Sequence, residues 1–405
     1  MKFCSDNRAQ SIQVGAVLLF GFLIIALTLY QAQGVPAENR QVEFEHSQQV
    51  GNEMVDLYTA VFETVVDGEP RTATITLGTN YNNRLFFIYP PPASGTLQTT
   101  ADETVQLHNV TSVTHPDTNQ SFDNYWDNTT RGYETQAITY SPNYRELRGT
   151  ADYRIEYGVL AAVYDESNVT ELRLAEGHQP IVADEDEDDD MAAINLVLID
   201  GDLQAVDSDA QSVIPERVTE STTITVENDS NTGPITLELP TGLREDNWNT
   251  SQKDSILHQP YENGSVESVT FDQDENTATA TLNGSMEYNL TLHKVDVGYG
   301  ATDPEPTYLR NRSFDDSTLE LSFEVRDKFN DRVEESVYWV FNGTPEDAIK
   351  QNVTDGKETV TLDEVSNDDD DELTFDSDER CGVTLVDPEV TTPEPYQEIN
   401  MTGRC

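Results

Sequence analysis

The sequence is poor in positive charge. Among its 405 residues 23 are Lys or Arg and 76 are Asp or Glu, so the formal charge at pH 7 is -53. No basic stripe remains that could displace counterions from phosphates, which excludes nucleic acid as a partner. Lysine is the scarcer cation, at 6 against 17 arginines. Cysteine is scarcer still, with only Cys4, Cys381 and Cys405. With no Cys-x-x-Cys pair, these three exclude a disulfide-built scaffold and the usual zinc and dithiol sites. Common catalytic motifs are absent as well: no Gly-x-Ser-x-Gly, no His-Glu-x-x-His and no Walker loop. The six histidines (His46, His108, His115, His178, His258, His293) form no spaced pair. These absences point to a non-enzyme without cofactor, metal ligand or catalytic residue. A surface hydrolase whose residues meet only in the fold is the alternative that spacing does not address.

What is present is acid, β-forming residues and one long apolar run. Acidic chains with few aromatics are often disordered, but 17 Tyr and 14 Phe, with many Val, Ile and Thr, argue for a folded chain. Self-repulsion at this charge strains a compact state, and molar salt, with a Debye length of roughly 3 Å, removes most of the strain. Acid excess and scarce lysine together fit a halophile's surface. Two acid runs, Asp184 to Asp190 and Asp368 to Glu372, lack the spaced oxygens and turn glycine of an EF-hand loop. They are expected to be solvated and surrounded by diffuse cations.

Residues 1–9 form a short leader in which Lys2 and Arg8 outnumber Asp6. Residues 10–31 hold the apolar run, whose core, Ile12 to Tyr30, spans about 28 Å as a helix, close to the roughly 30 Å of a hydrocarbon core. Basic residues precede it and Glu38, Glu43 and Glu45 follow, so the positive-inside rule places the N-terminus in the cytoplasm and the bulk of the chain outside the cell. Three readings stay open. One is a secretory signal cut near Ala32/Gly34, although its core is long for that. The second is an uncleaved signal anchor. The third rests on the stretch from Arg8 to Leu19 (Arg-Ala-Gln-Ser-Ile-Gln-Val-Gly-Ala-Val-Leu-Leu), which resembles the N-termini of archaeal type IV pilin-like proteins. That resemblance implies cleavage between Ala9 and Gln10 with the apolar helix retained. Bacterial-type pilins carry Glu five residues after the cut, where this chain has Val14.

Over 32–66 a second helix is expected as an extracellular stalk, because Val50, Met54, Leu57, Tyr58, Val61, Phe62 and Val65 recur at helical spacing. Pro36 is expected to kink or interrupt the chain between the two helices. From Arg71 onward the pattern is β. Strands are expected at Thr72 to Leu77, Leu85 to Tyr89, Thr104 to Val113, Glu134 to Tyr140, Arg154 to Tyr164, Val169 to Leu174 and Ala193 to Ile199. A second series runs from Thr222 to Leu292, spaced as in a sandwich rather than a parallel sheet. The fold class is thus mainly β: a long transmembrane and stalk helix followed by two or three β-sandwich-like domains. Expected bounds are 67–214 for a first β-rich domain, 215–302 for a second, 303–380 for a third and 381–405 for a tail. The stretch from Leu319 to Val333, continued by Val337 to Phe341 and Glu358 to Leu362, resembles bacterial immunoglobulin-like domains, which implies spacing or adhesion for the third unit. Leu85 to Gly95 and Tyr140 to Tyr144 resemble a haloarchaeal family of surface proteins with a pilin-like N-terminus and a β-rich body.

Thirteen Asn-x-Ser/Thr sequons occur, where about 4 or 5 would arise by chance, and none precedes the apolar run. The glycosylation candidates are Asn109, Asn119, Asn128, Asn168, Asn228, Asn249, Asn263, Asn283, Asn289, Asn311, Asn352 and Asn400. Asn342 is a poorer acceptor because Pro345 follows its Thr344. Outside the cell Cys381 and Cys405 are expected to pair, closing a loop of roughly 25 residues at a gain of about 3 kcal/mol on the chain-entropy account; two free thiols are the alternative. Cys4 is a leader residue or an acylation site. These features together describe a membrane-anchored, glycosylated surface protein with structural or interaction roles. Its expected partners are the membrane and cell-surface proteins or pilus components. A minor pilin or adhesin subunit is the alternative.

Overall fold

The computed structural model describes residues 7–84, 90–113, 125–126, 128–164, 169–174, 179–183, 191–228, 232–315, 320–334, 336–341, 349–353, 355–361, 381–385 and 397–400. The chain is mainly β, led by helix α1 (Asn7–Leu29), a π-turn (Tyr30–Gly34) and helix α2 (Val35–Asp67). Pro36 does not interrupt the helix. A proline lacks the N–H for the carbonyl four residues back, and its ring crowds that carbonyl. The π-turn accommodates this just before the proline: the Val35 N–H reaches back five residues to the Tyr30 carbonyl, and helical backbone continues on both sides. α2 ends where Gly68 adopts φ 75° and its N–H caps the Thr64 carbonyl.

Residues 32–66 are not a free stalk. All seven apolar positions predicted from their spacing are buried. They pack against strand Ala73–Thr76 and a six-stranded antiparallel sheet, here the helix-facing sheet. Its order is Gln204–Asp207, Ser94–Thr99, Ile138–Asn143, Asp152–Glu156, Val159–Tyr164, Val169–Leu174. Thus the C-terminal half of the helix supplies one wall of a core.

Two further sheets complete the body. In the outer sheet, Thr236–Pro240 lies between Thr277–Leu282 and Glu103–His108. In the mixed sheet, Met191–Asp200 pairs in parallel with Glu287–Val297 over ten residues, and Ile224–Asn228 joins the latter strand to Val110–Ser112. The second core lies among these sheets and includes Trp126, Tyr133 and Trp248. Strands from either side of the boundary expected at 214/215 therefore share sheets, so 67–302 is one interleaved unit. The parallel pair also departs from the expected sandwich: the two strands lie about ninety residues apart in sequence, where no local pattern reports pairing.

Local backbone explains two other differences. The run expected as one strand from 104 to 113 breaks at Asn109, with φ 60°, and its halves enter different sheets. The run from 154 to 164 is a tight hairpin turning at Tyr157 and Gly158, both with positive φ, as a type I′ turn requires. After 302 come two smaller antiparallel sheets, one of Pro306–Asp315, Glu320–Asp327 and Lys357–Thr361, the other of Ile349–Asn352, Ser336–Phe341, Cys381–Leu385 and Gln397–Asn400. The strand expected at Leu85 to Tyr89, both acid runs and Cys405 lie outside the described residues.

Candidate functional site

The strongest functional feature is α1. Its 23 residues rise about 34 Å, enough to cross a roughly 30 Å hydrocarbon core. It is long and apolar enough to span a membrane, and the rest of the chain covers none of its most apolar window. From Val14 to Leu29, eleven large apolar side chains are exposed, Val17, Leu19 and Phe22 by 70% or more. Each is worth about 1.5–3 kcal/mol on transfer to an apolar phase, so an apolar environment favours this helix by on the order of 20 kcal/mol. Ala9 and Gln10 lie within its backbone range.

Below the apolar part the helix is fixed to the body by a buried polar seam. Val35, Asn39, Glu43, His46 and Val50 follow one another by three or four residues on α2, and all are buried. Glu43 is fully buried. Its carboxylate accepts the N–H groups of Arg145 (2.8 Å), Glu146 (2.9 Å) and Leu147 (2.6 Å), together with the Tyr81 hydroxyl. Burial and this carboxylate push the Tyr81 phenol well above its ordinary value, so it stays a donor. His46 Nε2 lies 3.0 Å from the Thr76 carbonyl, which can only accept; Nδ1 therefore accepts the Tyr144 hydroxyl at 2.6 Å. Burial holds the imidazole below its usual pKa and keeps it neutral. Arg84 reaches from the body to Glu38 (2.9 Å) and Asn39 (3.1 Å), and Glu38 also accepts the Tyr30 hydroxyl beside the π-turn. The seam thus ties the root of the apolar helix to two loops of the body.

Sequence spacing shows Asn39, Glu43 and His46 on the same stripe as Val50 and Met54. Their polarity nevertheless reads as solvent-facing. Their partners lie up to about a hundred residues away and carry no motif.

A second carboxylate works in the same way. Asp331 accepts the N–H groups of Glu220 (2.5 Å), Ser221 (3.2 Å) and Thr222 (2.9 Å), fastening the unit after 302 to the mixed-sheet body. Tyr125 stacks on Tyr308 beside this contact, with ring centroids 4.8 Å apart. This bears on hydrolase chemistry, because Ser221 Oγ lies 2.5 Å from His293 Nδ1 and Ser221 has φ 64°. The backbone N–H groups that would serve an oxyanion there are already bonded to Asp331, and three consecutive N–H groups around an anion account for the left-handed φ. Of the other histidines, His108 meets Thr130 Oγ1 and His258 meets the Thr250 carbonyl; His115 and His178 lie outside the described residues. Among the described residues no group of three or more His, Cys, Asp or Glu side chains is placed to hold a metal.

The glycosylation candidates are scattered over the body. Asn249 and Asn263 are exposed, whereas Asn109, Asn128, Asn228, Asn283 and Asn289 are half-buried. The side-chain amides of Asn109 and Asn283 donate to the carbonyls of Pro234 and Gly264. Asn311, Asn352 and Asn400 lie on strands, and Asn119, Asn168 and Asn342 lie outside the described residues. Cys381 opens a strand; Cys405, its expected partner, and Cys4 lie outside the described residues.

No family profile matches the chain. An uncharacterized protein of the archaeon Archaeoglobus fulgidus is similar to it, 33% identical over 93 residues. The match covers 23% of this chain and 16% of that protein's length.

Proposed function

We propose that the chain is a membrane-anchored surface protein with structural or interaction roles, its N-terminus in the cytoplasm and its β-body outside the cell. One observation carries this reading: an uncovered apolar helix runs without a break into a folded acidic body. Lys2 and Arg8, which precede the apolar run of this helix, and the acids that follow it support the orientation. Sequons confined to the body fit glycosylation on the outer side, and the acid excess fits a salt-rich exterior. Expressed in a host membrane, the full chain should resist extraction by alkaline carbonate, while a chain lacking residues 12–30 should be released. Release of the full chain would remove the anchor.

A prepilin-type subunit is the second reading, favoured by the continuity of α1 with α2 and the burial of the latter's C-terminal half in the β-body. This is the layout expected of a subunit whose apolar half-helix packs against copies of itself. Mass spectrometry of the mature protein should then find Gln10 first, and an intact leader would exclude it.

A further inference from the structure

Beside α2 the face of the helix-facing sheet extends over Val159–Tyr164 and Val169–Leu174. The step between helix and sheet holds two hollows of about 300 and about 160 Å3. Ser47, Gln48, Tyr153 and Tyr164 line both, which makes them one groove. Along the helix it runs from Arg40 to Asn52, about 18 Å at 1.5 Å per residue. Its floor is the cross-strand row Tyr153, Ala162 and Glu171, flanked by Tyr164 and Arg173. The helix wall presents Phe44, 47% exposed. At Gly51 any Cβ would lie 2.7 Å from the Tyr153 hydroxyl, so the glycine is what lets that ring approach the helix.

The groove is unusual in charge. Arg40 and Arg148 line the larger hollow and Arg173 the smaller. All three are exposed, and none makes an ion pair with a described residue. In a chain where acids outnumber bases 76 to 23, three such guanidinium groups around one aromatic-floored groove, with Glu171 the acid among its lining residues, make a surface complementary to an anion.

We propose that this groove binds an acidic oligosaccharide of two or three rings. Tyrosine and phenylalanine faces suit the apolar faces of sugar rings, the side-chain amides of Gln48 and Asn52 suit hydroxyls, and the arginines suit carboxylates through bidentate hydrogen bonds. An acidic peptide fits less well. The open backbone edge beside the groove is the outer side of Val169–Leu174, the terminal strand of the sheet. Val159–Tyr164 is paired on both sides, α2 bonds within itself and the floor offers side chains alone, so a peptide lying along the floor would find no partner for its own amides.

The test is calorimetric titration of the full chain in detergent with trigalacturonate, its uncharged methyl ester and hexaglutamate. Trigalacturonate should bind at least tenfold more tightly than either of the others. R148Q and R173Q should each weaken it about tenfold, while R71Q, remote from the groove, should leave it unchanged. Absence of binding, equal binding of the ester or of hexaglutamate, or an equal loss in R71Q would each overturn the proposal.

Discussion

Replacing Glu43 by Ala probes how the apolar helix is held to the body. The substitution removes a fully buried carboxylate and leaves three backbone N–H groups, at 145, 146 and 147, and the Tyr81 hydroxyl facing a void. An intramolecular bond to a charged group contributes about 1.5–3 kcal/mol, but the four share one acceptor and do not add. Removing the carboxylate leaves no charge behind, only unpaired donors at about 1–3 kcal/mol each, and a loss of about 3 kcal/mol is expected from the cluster as a whole. Glu43→Gln should cost nearly as much, because its amide would direct N–H groups at N–H groups. Guanidinium unfolding followed by circular dichroism at fixed salt gives the global figure, and amide exchange at 145–147 gives the local one. A loss below about 1 kcal/mol, or unchanged exchange at these three amides, would refute the claim that Glu43 organises the loop.

Other perturbations reach the rest of the fold. Asp331→Ala should cost about 2–4 kcal/mol and speed exchange in the unit after 302 while 67–302 keeps its protection; uniform loss across both would contradict the docking role. Asp327 is pushed up to about 6, chiefly by burial, with the neighbouring Asp331 charge adding to it. For an acid raised in this way the folded state binds more protons, so stability falls as pH rises from about 4 to about 6 and is then level. Asp327→Asn retains an Oδ1 acceptor for the Phe329 and Asp331 N–H groups, now bonded at 2.8 and 2.9 Å. It should match the parent near pH 4 and exceed it near pH 7 by on the order of 3 kcal/mol, and a variant no more stable at pH 7 would sink the assignment. Gly78→Ala would set a Cβ 2.0 Å from the Ala93 carbonyl oxygen. The overpacking should lower stability by about 3 kcal/mol in thermal unfolding; a neutral result would contradict a close chain crossing at Gly78.

The sequence revealed what repeats locally. The apolar stripe from Val50 to Val65 shows as spacing, and all of it is core. α1 shows as composition, and most strands show as alternation. The pairing of Met191–Asp200 with Glu287–Val297 left no local sign, nor did the sharing of sheets across residue 214. The turns at Asn109 and at Tyr157–Gly158 were hidden because positive φ at a non-glycine residue is set by surroundings. Glu43 and Asp331 were the hardest to see. A buried carboxylate is identified by the backbone N–H groups that converge on it, and these lie about a hundred residues away.

The central claim is that α1 crosses a membrane and leaves the β-body on the far side from Met1. Protease added to intact cells expressing the full chain tests it, with antibodies against each terminus. The account predicts loss of the C-terminal epitope from whole cells and protection of the N-terminal one until the cells are lysed. A protected C-terminus on intact cells, with the N-terminus digested, would contradict it.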